Sequence, residues 1–380
     1  MHEHKHNQCK RKVKHRKNVM KLIIFCITVG ISLMFIYYQN LRKEIDARQK
    51  WLETVLTGEK KWILENQGPE GEFYMNGSKA GDVNPYFACM AALGLLAETK
   101  NCPITETEKK AVGRYLDWHT GILLETDGKM GIYRKESGKL IYKEKADSED
   151  GYLGMYLFLM GKYLEKTEST DLPEYWKKGI SLALKKIQSL MQDGITQVSE
   201  ENTTVYLMDN LEVWKGLYEL EHAGLKDVQA IREMRNKLQA QIEKLFWDDA
   251  NQRWRIIENS NLYHQKEFYP DGVAQIYPLI YEFPVKEKKK QKILYKQFTE
   301  RFQWQKLTKK RNGFLWAMTG MAAAQMGDIN NLLEMIRNYE AEYCENRKYP
   351  LYTGEAGWIC MECEKLYSLY ERKIKTGFLV

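Results

Sequence analysis

The sequence predicts an all-α fold, an (α/α)6 toroid of six helical hairpins preceded by one N-terminal transmembrane helix. Three observations carry this. Apolar residues recur at helical spacing along most of the chain, and strand-like alternation is rare. The helical segments number twelve, and their connections alternate between long and short. One uncharged apolar run, residues 22–38, stands apart near the N-terminus.

The first element is that run, LIIFCITVGISLMFIYY, near the lower limit of about 17–20 residues for a span. Tyr37 and Tyr38 suit the far interface, where aromatic rings are favoured. Eight Lys/Arg lie in the first 21 residues, against one acid, Glu3. Only Arg42, Lys43, Arg48 and Lys50 follow the run closely. This asymmetry predicts a cytoplasmic N-terminus (residues 1–21), a span at 22–38, a connector at 39–50 and an extracytoplasmic body from 51 to 380. A cleavable signal peptide is the rival reading, but no small-x-small site follows the run, which favours a retained anchor in the cell membrane. The tail also accounts for the charge. The chain has 58 Lys+Arg against 51 Asp+Glu, a net +7, and beyond residue 21 the counts are 50 and 50. A neutral body argues against nucleic acid as a partner. Hydrophobic content of 44% excludes wholesale disorder.

The twelve helices are expected at 43–67, 85–100, 106–123, 149–166, 173–192, 205–223, 226–245, 271–281, 286–302, 314–326, 329–344 and 356–372. Asn84-Pro85 reads as an N-cap followed by Pro at the first helical position. Gly224 and Gly327 read as C-terminal stops. Odd-to-even connections are long (68–84, 124–148, 193–204, 246–270, 303–313, 345–355), and even-to-odd connections take a few residues. Six hairpins with every long loop at one end describe alternating outer and inner helices. The even helices carry small residues (Ala91-Ala92, Gly151, Gly154, Ala322-Ala323-Ala324), as close inner packing requires. Charge concentrates on the odd helices, as at 286–292. A cleft is therefore expected where the long loops feed the inner-helix N-termini.

Chemistry-capable residues gather at that end. Asp150, Asp209 and Asp271 are the candidate catalytic carboxylates, each at the start of an apolar helix where a purely structural use is least obvious. Asn84, Tyr86, Asp147, Tyr206, Trp214, Tyr269, Trp316, Glu355 and Trp358 are the candidate substrate contacts. Glu72, Asp82, Glu149, Tyr152, Asn210, Glu212, His264, Gln275 and Tyr352 fall on the same face. Acids and aromatic rings around a concave rim suit a sugar polymer, and two carboxylates can split a glycosidic bond by acid and base action. Helix-start acids also serve as caps, and Asp82, Asp147 and Glu355 fit that role equally well.

Other chemistries lack their motifs. There is no Walker loop, no GxGxxG after a strand, no HExxH and no GxSxG, so neither a cofactor nor a metal is expected. His2, His4, His6 and His15 fit a polar tail. Cys89, Cys102, Cys344, Cys360 and Cys363 read as buried thiols, with room for one disulfide. Asn202-Thr203-Thr204 matches a glycosylation sequon, which matters only in a glycosylating host.

Five blocks carry a family resemblance: NPYFACMAALGLL from Asn84, DSEDGYLGMYLFL from Asp147, YLMDNLEVWKGL from Tyr206, YPDGVAQIYPL from Tyr269, and EAGW from Glu355. Together they resemble the six-hairpin glycosidase-like (α/α)6 toroids of bacteria, over the body from about Trp51 to Tyr370. The resemblance implies a polysaccharide-binding cleft at the inner-helix N-termini and acid-based glycoside hydrolysis. Related toroids hold lyases, epimerases and cyclases, so the fold does not settle the reaction. The resulting expectation is a membrane-anchored glycoside hydrolase for a cell-surface or exported polysaccharide. Asp150 is its expected general acid, with Asp271 or Asp209 as base. A non-catalytic carbohydrate-binding subunit, partnered with polysaccharide synthesis or export machinery, is the second expectation. A polysaccharide lyase using Tyr206 or His264 as base is the third.

Overall fold

The computed structural model describes residues 2–77, 81–136, 139–169, 171–258, 260, 267–307, 311 and 313–375, with side chains at residue 18 and from residue 20 onward. His264 lies outside the described residues. In chain order the helices are α1 (His2–Glu65), α2 (Pro85–Leu95), α3 (Glu106–Glu125), α4 (Glu149–Thr167), α5 (Glu174–Leu190), α6 (Leu207–His222), α7 (Gln229–Phe246), α8 (Val273–Ile280), α9 (Lys288–Phe302), α10 (Thr319–Met326), α11 (Ile329–Tyr339) and α12 (Thr353–Lys375). The strands are short: β1 (Asp82–Val83), β2 (Gly131–Glu136), β3 (Lys139–Lys145), β4 (Met191–Gln192), β5 (Ile195–Thr196), β6 (Trp247–Asp248) and β7 (Arg253–Trp254).

The chain divides into two compact units. One holds Met1–Trp51 and the C-terminal stretch from Arg372, and the other is Leu52–Glu371. The first contains a helical window long and apolar enough to cross a membrane, with none of it buried; a signal sequence near an N-terminus passes the same test.

The second unit is the toroid. Successive even helices pack on one another from α2 to α4, α6, α8 and α10, and each also packs on the odd helix that follows it. α12 closes the inner ring, because Gly357 lies against Met90 and Gly94 of α2. In the outer ring, α1 meets α3 through Lys60 and Glu108 at 3.3 Å, and α11 through Glu59 and the Tyr339 hydroxyl at 2.7 Å. Burial follows position: α4 is buried almost all round, whereas α7 buries only Ile231, Leu238, Ile242 and Phe246 along one face.

Small residues set the inner-ring spacing. A Cβ on Gly216 would come within 2.3 Å of the Gly154 carbonyl oxygen, and one on Gly154 within 2.7 Å of the Val213 nitrogen. Backbone atoms cannot yield as a flexible side chain does. Gly216→Ala is therefore expected to destabilise the protein by about 1–3 kcal/mol, read as a lower denaturant midpoint at unchanged slope. A midpoint equal to wild type would show that α4 and α6 separate without cost.

The caps form as expected at three sites. The Asn84 side chain accepts from the Tyr86 N–H at 2.9 Å, Gly327 ends α10 with φ 69°, and Gly224 follows the end of α6 with φ 75°. Several helix starts differ from expectation, among them α1, continuous from His2 rather than starting at 43, and α12, which starts at Thr353 rather than 356. α10 begins at Thr319 rather than 314, because Glu355 captures the backbone N–H groups of residues 315–317. α8 begins at Val273, after a kinked segment over Phe268–Gly272 in which Tyr269 is extended (φ −126°, ψ 136°). The long loop between α3 and α4 holds an unexpected hairpin, β2–β3, with β1 paired to β2. Nearly all of β3 is exposed, so its sequence carries no apolar alternation. Asp82 is occupied in this sheet, bonded to Arg134 at 2.6 Å and Lys143 at 2.7 Å.

At the opposite end of the ring the inner helices meet in ion pairs. Lys215 of α6 lies 2.7 Å from Glu219 and 3.0 Å from Glu282, and Lys365 of α12 also bonds Glu282 at 2.6 Å. The described cysteines are free thiols, with Cys89, Cys360 and Cys363 buried.

Candidate active site

A cleft of about 240 Å³ opens at the N-terminal ends of the inner helices. Each inner helix or the segment leading into it supplies part of the wall. α2 gives Asn84, Tyr86, Phe87 and Met90; the entry to α4 gives Asp147, Ser148 and Tyr152; α6 gives Met208, Asp209 and Glu212. Tyr269 and Tyr277 come from the α8 region, Phe314, Trp316 and Met318 from the segment before α10, and Glu355 and Trp358 from α12. Eight of the twelve singled-out residues thus share one cavity: Asn84, Tyr86, Asp147, Asp209, Tyr269, Trp316, Glu355 and Trp358.

The other four lie elsewhere. Asp150 is wholly buried. One of its oxygens accepts from the Ser148 hydroxyl at 2.8 Å and the Gly151 N–H at 3.0 Å, and the other accepts from the Thr196 hydroxyl at 2.7 Å. It ties the start of α4 to β5, and burial raises its pKa despite those bonds. Trp214 is core: 2% exposed, it stacks on Tyr218 and meets Phe283 edge-on. Tyr206 caps α6 and bridges to Ile257. Asp271 lines a separate cavity of about 670 Å³, between residues 251–256 and α9.

Three acids in the cleft have distinct environments. Asp209 is the most perturbed. Burial raises its pKa well above the ordinary carboxyl value, and the neighbouring charges of Asp150 and Glu212 add to this. Glu212 is 3% exposed. It accepts hydroxyl hydrogen bonds from Tyr86, from Tyr277 at 2.6 Å and from Tyr281 at 3.4 Å. Burial still pushes its pKa up to about 7, although the tyrosines oppose the shift. Asp147 stands exposed at the mouth. Glu212 shared the rim with the candidates but was not among them. Its signal is the three-residue spacing from Asp209, which puts two acids on one face in the first two turns of α6.

Glu355 holds the cleft wall. Its carboxylate accepts from the N–H groups of Leu315 and Trp316, both at 3.1 Å, and of Ala317 at 2.8 Å. Trp316 adopts φ +60°, a strained conformation for a bulky residue. The three bonds stabilise it, and the Trp316 ring lies 4.7 Å from that of Tyr269. Burial raises Glu355 to about 7 against these bonds.

These shifts make a pH prediction. Glu212 is raised from 4.5 to about 7, so the folded state favours its neutral form. Its contribution is fully present below pH 4.5 and is lost as pH rises through about 7. At about 1.4 kcal/mol per pKa unit this amounts to about 3 kcal/mol. Glu212→Gln should therefore flatten the fall in thermal midpoint between pH 5 and pH 8. An unchanged pH profile would remove Glu212 as its source.

Among the described residues, no group of three or more His, Cys, Asp or Glu side chains is arranged to hold a metal ion.

No protein-family model matches the chain. No curated protein sequence matches it either. Solved structures do. A glycosidase variant superposes with TM-score 0.61 at 13% identity, covering 86% of this chain and 98% of the other. An inactive alpha-1,6-mannanase variant of Salegentibacter sp., in complex with alpha-1,6-mannotetrose, gives TM-score 0.57 at 10% identity, covering 84% and 99%. A D-mannose isomerase gives 0.56 at 12% identity, covering 84% and 97%. At these identities the likeness establishes the fold. The chain has the six-hairpin, glycoside hydrolase-like toroid, which in the isomerase carries a different reaction.

Proposed function

We propose that this protein is a membrane-anchored glycosidase acting outside the cytoplasm on a neutral glycan, with Asp209 as general acid and Asp147 as base. The observation that carries the reading is the placement of these two acids in one aromatic-walled cleft. A general acid must arrive protonated, and burial together with the charges of Asp150 and Glu212 shifts Asp209 toward that form. The partner carboxylate must reach water, and Asp147 is exposed at the mouth. Glu212, fixed by three tyrosines, is placed to bind sugar hydroxyls. Trp316 and Tyr269 offer stacking faces. Asp150 orients the start of α4 and adds its charge to the field at Asp209.

The charge balance of the lining supports a neutral sugar. Among the described residues it contains Asp147, Asp209, Glu212 and Glu355 and no Lys, Arg or His. A uronic acid would bring another anion into this field, and no cation among the described lining residues meets it, which disfavours a lyase acting on acidic glycans. The apolar helix near the N-terminus and the basic tail before it support the anchored topology.

The test uses the full chain in detergent with a set of neutral and acidic glycans. Release of reducing ends from neutral glycans is the expected result. An unsaturated product absorbing in the ultraviolet would replace hydrolysis with elimination. Glycan binding with no product would leave a carbohydrate-binding role.

A further inference from the structure

We propose that the cleft continues outward onto an aromatic platform, Tyr352 and then Tyr349, which binds the next sugar units of a neutral glycan chain. This rests on the glycosidase reading above and makes the substrate a chain rather than a single sugar.

The rings form a continuous path. Phe87 and Phe314 line the cleft and stack at 5.4 Å with 14° between planes. Tyr352 lies 6.0 Å from Phe87 and 5.6 Å from Phe314. Tyr349 follows at 6.2 Å and is 57% exposed. An isolated exposed aromatic is ordinary on a protein surface. Here the ring continues a path that begins in a cleft, and its loop is fastened on both sides.

Before Tyr349, Arg347 pairs with the fully buried Glu59 and lies 4.8 Å from the Trp62 ring. After it, the Thr353 N–H donates to the Met75 carbonyl at 2.9 Å, and the Thr353 hydroxyl donates to the Tyr74 carbonyl at 2.8 Å. Beneath it, Gly313 has no side chain to intrude; a Cβ there would come within 2.7 Å of the Tyr349 hydroxyl. A rigidly held ring loses little entropy on stacking against a sugar, so its contact adds directly to affinity.

Calorimetry on the full chain in detergent tests the platform. The chain carries Asp209→Asn to stop turnover and is titrated with gluco-, manno- and galacto-oligosaccharides of stepwise length from the disaccharide. Hydrolysis of the same set by the unsubstituted chain is followed in parallel. Affinity should rise with length in at least one series. Adding Tyr349→Ala should remove about 2- to 10-fold of that rise, and Tyr349→Phe should retain it. The proposal is overturned if the length dependence survives Tyr349→Ala, if the loss is equal at every length, or if nothing binds. Should the length dependence behave as expected while the unsubstituted chain hydrolyses nothing, the platform stands and the glycosidase reading falls.

Discussion

Asp209→Asn should lower kcat/KM on a natural glycan by about 10²- to 10⁴-fold, the usual contribution of a positioned acid or base. The loss should shrink on a glycoside with an activated leaving group, such as a nitrophenyl group, because such a group departs without protonation. Equal losses on both substrates would assign Asp209 a different role. The fold should survive the change. Burial and the charges of Asp150 and Glu212 raise the folded pKa of Asp209. Its stabilising contribution is thus complete below the unfolded value and lost as pH rises through the folded one. Asn stays neutral throughout, so the variant's thermal midpoint should equal or exceed that of wild type at alkaline pH. A lower midpoint would mean that inactivity reflects unfolding.

The largest stability effect is expected at the other end of the ring. Lys215 is 4% exposed. It lies between Glu219 and Glu282, and over the rings of Phe158 and Tyr218 at 5.4 and 5.3 Å. Lys215→Ala removes the ammonium shared by Glu219 and Glu282, leaving Glu219 with Lys162 at 3.6 Å and Glu282 with Lys365. Removing one partner of a buried pair costs about 3–5 kcal/mol, a large share of the 5–15 kcal/mol that keeps most domains folded. The pH dependence gives a second readout. Burial opposes the charge on Glu282, yet Lys215 and Lys365 hold its pKa down to about 2. Its contribution is present above 4.5 and lost as pH falls through about 2. In the Ala variant that contribution shrinks, so the deficit against wild type should narrow toward pH 3. Urea titrations at pH 7 and pH 3 measure both effects. A deficit below about 1 kcal/mol at pH 7 would mean that water or repacking replaces the ammonium.

Much of the ring could be read from the sequence because periodicity and loop length are properties of whole segments. Asn84-Pro85 named a helix start, and the glycines of α4 and α6 sit where two backbones must touch. Side-chain direction was harder. The start of α4 at 149 matches expectation, yet it does not by itself say which acid of Asp147-Ser148-Glu149-Asp150 meets the cleft. Ser148 caps α4 with a bond to the Gly151 N–H, which leaves Asp147 in the mouth and turns Asp150 into the core. A shift of one residue in the cap would change both. Tyr269 and Asp271 are two apart, yet the kink at the extended Tyr269 sends one to the cleft and the other to a different cavity. The extended stretch 314–318 is set by Glu355, about forty residues away in sequence, and no local pattern could announce it.

The closure of the inner ring by Gly357 against α2 bears on how the protein is made. α2 is among the first toroid helices to leave the ribosome, and the helix that covers it is the last. Until α12 emerges, the apolar flank of α2 around Met90 and Gly94 has no partner. Long-range contacts of this kind slow folding and prolong exposure of sticky surface. The toroid therefore cannot complete itself one hairpin at a time during synthesis, and a truncation that removes α12 should yield an aggregating chain rather than a smaller ring.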